Sequence, residues 1–112
     1  YGDHRDLHSF PTRRSSDLLV SENIRAHDIF TRWGGEEFTV LIPKSNRDQA
    51  LVLAEKLRQL CEEHDFGDGL KVTASFGVTQ LRADETVELF IGRADQALYL
   101  AKSNGRNRVE AL

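Results

Sequence analysis

The chain changes its hydrophobic period four times, and each change predicts an element. Residues 28–33 (DIFTRW) and 37–42 (EFTVLI) are short strand-like runs rich in aromatic and β-branched residues, joined through Gly34-Gly35. A Gly-Gly pair between such runs predicts a hairpin, because both residues reach positive φ with no Cβ penalty. Ala50, Leu53, Ala54, Leu57 and Cys61 then recur at helical spacing, which predicts a helix from Arg47 to about His64 with Ser45 or Asn46 as its cap. From Lys71 the period becomes two. Val72, Ala74, Phe76 and Val78 alternate with Lys71, Thr73, Ser75 and Gly77, as in a half-buried strand. Val87, Phe90, Ile91, Ala94, Leu98 and Ala101 form the apolar stripe of a second helix, Thr86 to Ser103, which Asn104-Gly105 ends. The closing NRVEAL is expected to be a last strand.

Residues 1–23 carry no sustained period. The stretch LHSFPTRRSSDLL holds a proline, two adjacent arginines and a Ser-Ser pair, and predicts a loop turning into a short helix near Asp17 to Asn23. The string HSFPTRRSSDL resembles a translated sequencing adaptor, which would make residues 7–18 foreign to the fold. The expected organisation is therefore an atypical remnant, 1–23, and a patterned partial domain, 24–112.

Composition narrows the classes. A length of 112 residues is enough for one compact domain and not two. A net charge of −3 gives no general case for nucleic-acid or membrane binding, so an anionic ligand would need a local basic patch or a metal. The single cysteine, Cys61, rules out an internal disulfide framework and fits a reducing, cytoplasmic compartment. No apolar run approaches the length of a membrane span. The chain begins at Tyr1 and has no methionine, so an internal piece of a larger protein is expected, with room for a membrane anchor in the parent's N-terminal part.

The candidate chemistry lies in RWGGEEFTVLIP, residues 32–43. Adjacent strand residues point to opposite faces, so Glu36 and Glu37 cannot share one role. A carboxylate at a rigid strand end suits Mg²⁺, which prefers oxygen donors and keeps substrate phosphates in its shell. From GG-EE alone, an acidic, solvent-facing turn is the more ordinary reading.

The surrounding residues add a resemblance. GGEEF at 34–38 is similar to the signature of the GGDEF family, the diguanylate cyclases, with Glu at its third place. Arg25-Ala-His-Asp28 resembles the family's RxxD inhibitory motif, and Arg32 matches the arginine that often precedes the signature. LAEKLR (53–58), KVTASFGV (71–78) and RADQALYLAKSNGRNRV (93–109) resemble its AExxR helix, VTxSxGV strand and ADxALYxAKxxGRNxV ending, in the same order.

The resemblance implies an α+β fold: a mainly antiparallel sheet with packed helices, like the palm of nucleotidyl cyclases. It implies a cyclase that joins two GTP into cyclic di-GMP and releases pyrophosphate, with Mg²⁺ (or Mn²⁺) as cofactor and a homodimer as the acting form. Gly34 and Gly35 would let the backbone approach the nucleotide, and Glu36 would be a metal ligand. Glu37 belongs to the same catalytic motif. Lys102 and Arg106 match the phosphate-binding cations, and Gly105 between them places Arg106 just past the helix end. Arg25 and Asp28 would hold the inhibitory product, cyclic di-GMP; read alone they are an i,i+3 ion pair. Lys56 stands where a further family arginine often joins that site.

The departures are specific. The family's first strand, with a second metal-binding aspartate, has no match, and neither does the asparagine that reads guanine; Asp6 lies closest to the guanine-binding aspartate. The missing strand would be a central one and would leave a gap in the sheet. Little or no cyclase activity is expected of this chain, since phosphoryl transfer depends on positioning and charge. A non-catalytic domain that binds GTP or cyclic di-GMP, and a misassembled reading frame, are the alternatives. Cys61 reads as core, His64 as helix-end surface, and Asp95 as structural.

Overall fold

The computed structural model describes residues 2–4, 19–25, 28–32 and 37–112. Five strands and two long helices follow one another as β1 (Gly2–His4), β2 (Ile29–Arg32), β3 (Glu37–Leu41), α1 (Arg47–Glu63), β4 (Ala74–Val78), α2 (Val87–Ser103) and β5 (Val109–Ala111). The strands form one sheet in the order β2-β3-β1-β4-β5. The fold is α+β, and its sheet is mixed. β2–β3, β1–β3 and β1–β4 pair antiparallel, whereas β4–β5 pair parallel. The parallel pair follows from the connection: α2 carries the chain back to the starting end, as parallel neighbours require.

Both helices begin where their sequences say they should. Asn46 caps α1, its Oδ1 accepting from Gln49 N–H at 2.8 Å while the Gln49 side chain accepts from Asn46 N–H at 2.9 Å, a reciprocal capping box. Thr86 caps α2 by accepting from Leu89 N–H at 3.2 Å. Residues 19–22 are helical, and Val20 is wholly buried in the core built by the later elements.

Two expectations are corrected. The resemblance implies a gap at the centre of the sheet, because the family's first strand has no match in the chain. Instead Gly2–His4 sits there, pairing with β3 through Gly2↔Phe38 and Asp3↔Glu37 and with β4 through Gly2↔Phe76, Asp3↔Ser75 and His4↔Ala74. Three residues suffice to bridge the two strands at one end. The strand around 71–78 was read as half-buried. All five residues of β4 are in fact buried, because helices cover both of its faces. Ala74, Phe76 and Val78 pack with Phe38, Ala54 and Leu57 on the α1 side. On the other face stand Ser75 and Gly77, and α2 lies directly on the strand. A Cβ built at Gly77 would meet Leu98 N at 2.2 Å, Ala94 O at 2.5 Å and Ala97 C at 2.8 Å. Small residues on both partners therefore permit a backbone-to-backbone approach that period-two reading does not anticipate. Phe38 and Phe76 meet edge to face, ring centroids 5.8 Å apart, and tie β3 to β4.

Candidate functional site

The β2–β3 hairpin carries the signature. Its arms pair from Ile29↔Leu41 to Arg32↔Phe38. The tip, with Gly34, Gly35 and Glu36, lies outside the described residues. Glu37 opens β3, in register with Asp3 of the central strand. Its Oε1 stands 3.8 Å from Lys102 Nζ, the two side chains being 40% and 27% exposed. A pair this open is worth little to stability. What it does is place a carboxylate of the signature and a cation of α2 at one end of the sheet.

The chain around Lys102 is built to present cations. Lys102 lies in the last turn of α2, where positive charge suits the helix dipole. Beyond the Asn104 cap the chain turns sharply: Gly105, Arg106 and Asn107 all have positive φ, at 119°, 64° and 48°. Arg106 N–H donates to Ala101 O at 2.9 Å, closing a Schellman-type end. Arg106 thus stands past the helix, as the intervening glycine suggested. The turn is pinned from below. Asn107 N–H donates to Ser75 Oγ at 3.1 Å, and Asn107 Oδ1 accepts from Arg58 Nη1 at 2.9 Å. Asn107 Nδ2 donates to Glu62. Arg58 is itself held by Glu55, whose Oε1 accepts from Arg58 Nε at 2.8 Å. That contact lowers the Glu55 pKa and raises that of Arg58. Spacing alone does not mark Arg58 and Asn107 as positioning residues, although they lie within LAEKLR and RADQALYLAKSNGRNRV.

Arg25 and Asp28 form a tight local unit. Asp28 Oδ2 accepts from Arg25 N–H at 2.8 Å and lies 3.7 Å from Arg25 Nε. The guanidinium side is 66% exposed and the carboxylate side 1%, so the pair is not the surface ion pair expected from spacing alone. Arg25 Nη2 also donates to Ser45 Oγ at 2.9 Å, just ahead of α1. Asp28 Oδ1 is buried with no hydrogen-bond partner among the described residues. Lys56 is exposed on α1.

A half-buried network surrounds Arg93. Its Nε donates to Thr79 Oγ1 at 2.6 Å, its Nη2 to Gln80 O at 2.6 Å, and its Nη1 and Nη2 to the Glu85 carboxylate. The Arg93 guanidinium, with the Arg82 N–H at 2.9 Å, holds the Glu85 carboxyl down at about 2. This network fixes the loop between β4 and α2. Cys61 is buried core, and burial pushes its thiol up to about 11. His64 ends α1 and packs against Phe66 at 4.5 Å. Asp95 is exposed on α2. Among the described residues no group of three or more His, Cys, Asp or Glu gathers to hold a metal ion. Neither Glu36 nor Asp6 is among them.

Comparison with known proteins follows the same lines. The family model "Diguanylate cyclase, GGDEF domain" matches residues 15–108. Diguanylate cyclase DgcP of Pseudomonas aeruginosa is 41% identical over 94 residues, which is 81% of this chain and 14% of that protein. The chain spans 14% of the length of DgcP and 26% of that of diguanylate cyclase A of Treponema denticola. The active GGEEF domain of a diguanylate cyclase from Vibrio cholerae superposes with a TM-score of 0.89 at 29% identity, over 98% of this chain and 78% of that one. The GGDEF domain of DgcB from Caulobacter crescentus, in complex with cyclic di-GMP, gives 0.83 at 26% identity, over 89% and 62%.

Proposed function

Because the chain belongs to the GGDEF family, we propose that it is the GTP-handling domain of a diguanylate cyclase, which joins two GTP into cyclic di-GMP and releases two pyrophosphates. The observation that supports this reading is the 3.8 Å approach of Glu37 to Lys102, beside the left-handed turn that presents Arg106. One end of the sheet then offers a carboxylate-bearing strand and two cations, the charge pattern that phosphoryl transfer needs. Lys102 and Arg106 bind the phosphates. Gly34 and Gly35 give the backbone room to approach the nucleotide. Glu36 is the residue assigned to a divalent cation, Mg²⁺ or Mn²⁺, which when bound neutralises phosphate charge. Catalysis requires two copies, each holding one GTP. The reading is tested by calorimetry with GTP and Mg²⁺. Binding should fall at least tenfold in Lys102→Ala and in Arg106→Ala. Unchanged affinity in both would remove the phosphate assignment. Incubated with GTP and Mg²⁺, the chain as it stands should make little cyclic di-GMP; ready turnover would overturn that expectation.

A regulatory reading rests on Arg25 and Asp28. An exposed guanidinium beside a buried carboxylate with one unsatisfied oxygen is suited to phosphate and to guanine N–H donors. Cyclic di-GMP should bind by calorimetry and lose that binding in Arg25→Ala/Asp28→Ala. Binding that survives the double substitution would move the site elsewhere.

A further inference from the structure

Glu37 is the residue of the signature left without a task of its own in the proposed reaction. It opens β3, in register with Asp3 of the central strand, so the sheet fixes its backbone. Lys102 stands in the last turn of α2, and its side chain, 27% exposed, keeps its stem against the protein. Strand and helix together set the 3.8 Å between Glu37 Oε1 and Lys102 Nζ.

Hydrogen bonds between an ammonium and a carboxylate run to about 2.7–2.9 Å. At 3.8 Å the two groups form a loose ion pair and not a hydrogen-bonded clamp. Glu37 is 40% exposed, so water screens the attraction and the pair holds little folding energy. The chain builds its structural ion pair differently: the Arg93 and Glu85 side chains are 11% and 6% exposed. The Glu37–Lys102 pair is therefore easily exchanged. An incoming phosphate can take Lys102 without breaking a strong bond. The carboxylate cannot withdraw far, because its backbone belongs to β3.

The consequence is electrostatic. Lys102 and Arg106 attract any polyphosphate, whereas Glu37 offsets part of that attraction and repels the same ligand. The repulsion scales with the charge of the ligand. A bare triphosphate carries roughly four negative charges, and a bound divalent cation removes about two of them. The penalty set by Glu37 is then about twice as large for the bare anion. We infer that Glu37 is a specificity residue: as the counter-charge of Lys102, it makes the site prefer a metal-loaded triphosphate to the bare anion. This rests on the reading of Lys102 and Arg106 as phosphate-binding residues.

Calorimetry of the full chain with GTP, once in Mg²⁺ and once in EDTA, tests the inference. Glu37→Gln keeps the shape and removes the charge. It should tighten bare GTP roughly fivefold or more, and the Mg²⁺-loaded nucleotide by no more than about twofold. Inorganic triphosphate should show the same ranking, because guanine plays no part in it. Glu37→Asp keeps the charge and should stay within about twofold of the parent in both conditions. Three results would each overturn the inference and leave phosphate binding standing: no gain for bare GTP in Glu37→Gln, the same gain with and without Mg²⁺, or the same gain in Glu37→Asp. If Lys102→Ala and Arg106→Ala leave GTP affinity unchanged, the reading of the site fails first and the inference falls with it.

Discussion

β4 has two different neighbourhoods. Toward α2 and β5 it is closed so tightly that a single methyl at Gly77 has no room. Toward β3, beyond the three residues of β1, it borders an open cavity of about 340 Å³. The same strand is therefore close-packed on one side and lines a cavity on the other. The closed side presents the cations Lys102 and Arg106, and the open side meets the strand that carries the signature. Precision is concentrated where the residues proposed to bind phosphate are placed, and the signature strand is joined to β4 through Gly2–His4 and the Phe38–Phe76 contact.

The sharpest way to break the contrast is Gly77→Val. Its side chain would have to displace helix backbone, which cannot yield like a flexible side chain, so a loss of about 4 kcal/mol or more is expected. Circular dichroism should show no cooperative unfolding transition at room temperature. A variant melting within a few degrees of the parent would mean that α2 does not rest on the strand in solution.

Next in size is the Arg93–Glu85 network, which closes the same side. The Glu85 pKa in the folded chain, about 2, lies below its ordinary 4.5. The stability this contributes is complete above pH 4.5 and drains away as pH falls toward 2. Tm should therefore drop across that window by more in the parent than in Glu85→Gln. Parallel acid profiles would show that the carboxylate is not held by Arg93.

Much of this side was legible from spacing. The helical stripes placed α1 and α2 to within a residue or two, because a 3.6-residue period over seventeen residues leaves little room for another reading. NRVEAL did form a strand. Hidden were the features set by tertiary contact. That β4 is buried on both faces depends on how closely α2 approaches, and Ser75 and Gly77 look like outward positions until a helix covers them. Arg58 and Asn107 lie 49 residues apart and meet only because the turn after α2 returns over α1. Gly2–His4 had no periodicity to find: three residues are too few to alternate, and their neighbours in the sheet decide their place. For the candidate site, motif order indicated Lys102, Arg106, Arg25 and Asp28, but nothing in the sequence told that Asp28 would be buried.

A smaller effect is expected at the turn that joins the closed side to the site. Asn107→Ala removes the bonds to Arg58 and Glu62 and puts a Cβ-bearing, non-Asn residue in the left-handed region, a cost of about 2 kcal/mol. Asn107→Gly keeps the backbone conformation easy and loses only the side-chain bonds. Both should weaken GTP binding if the turn positions Arg106, and only Ala should lower Tm strongly. If both bind GTP like the parent, the anchoring serves stability alone.

The finest comparison sets one chemical change at two valines, one fully buried and one on the cavity wall. Val72 is 1% exposed, just ahead of β4, and Val40 is half-buried on the wall of the cavity. Val→Thr keeps the shape and adds a hydroxyl. At Val72 that hydroxyl has no water and costs about 1–3 kcal/mol. At Val40 it can be hydrated from the cavity, so about 0.5 kcal/mol or less is expected. Chemical denaturation of the two variants reads the difference directly, because neither should alter the m-value. Equal losses would mean that the cavity is closed in solution and that β3 is as well packed as β4.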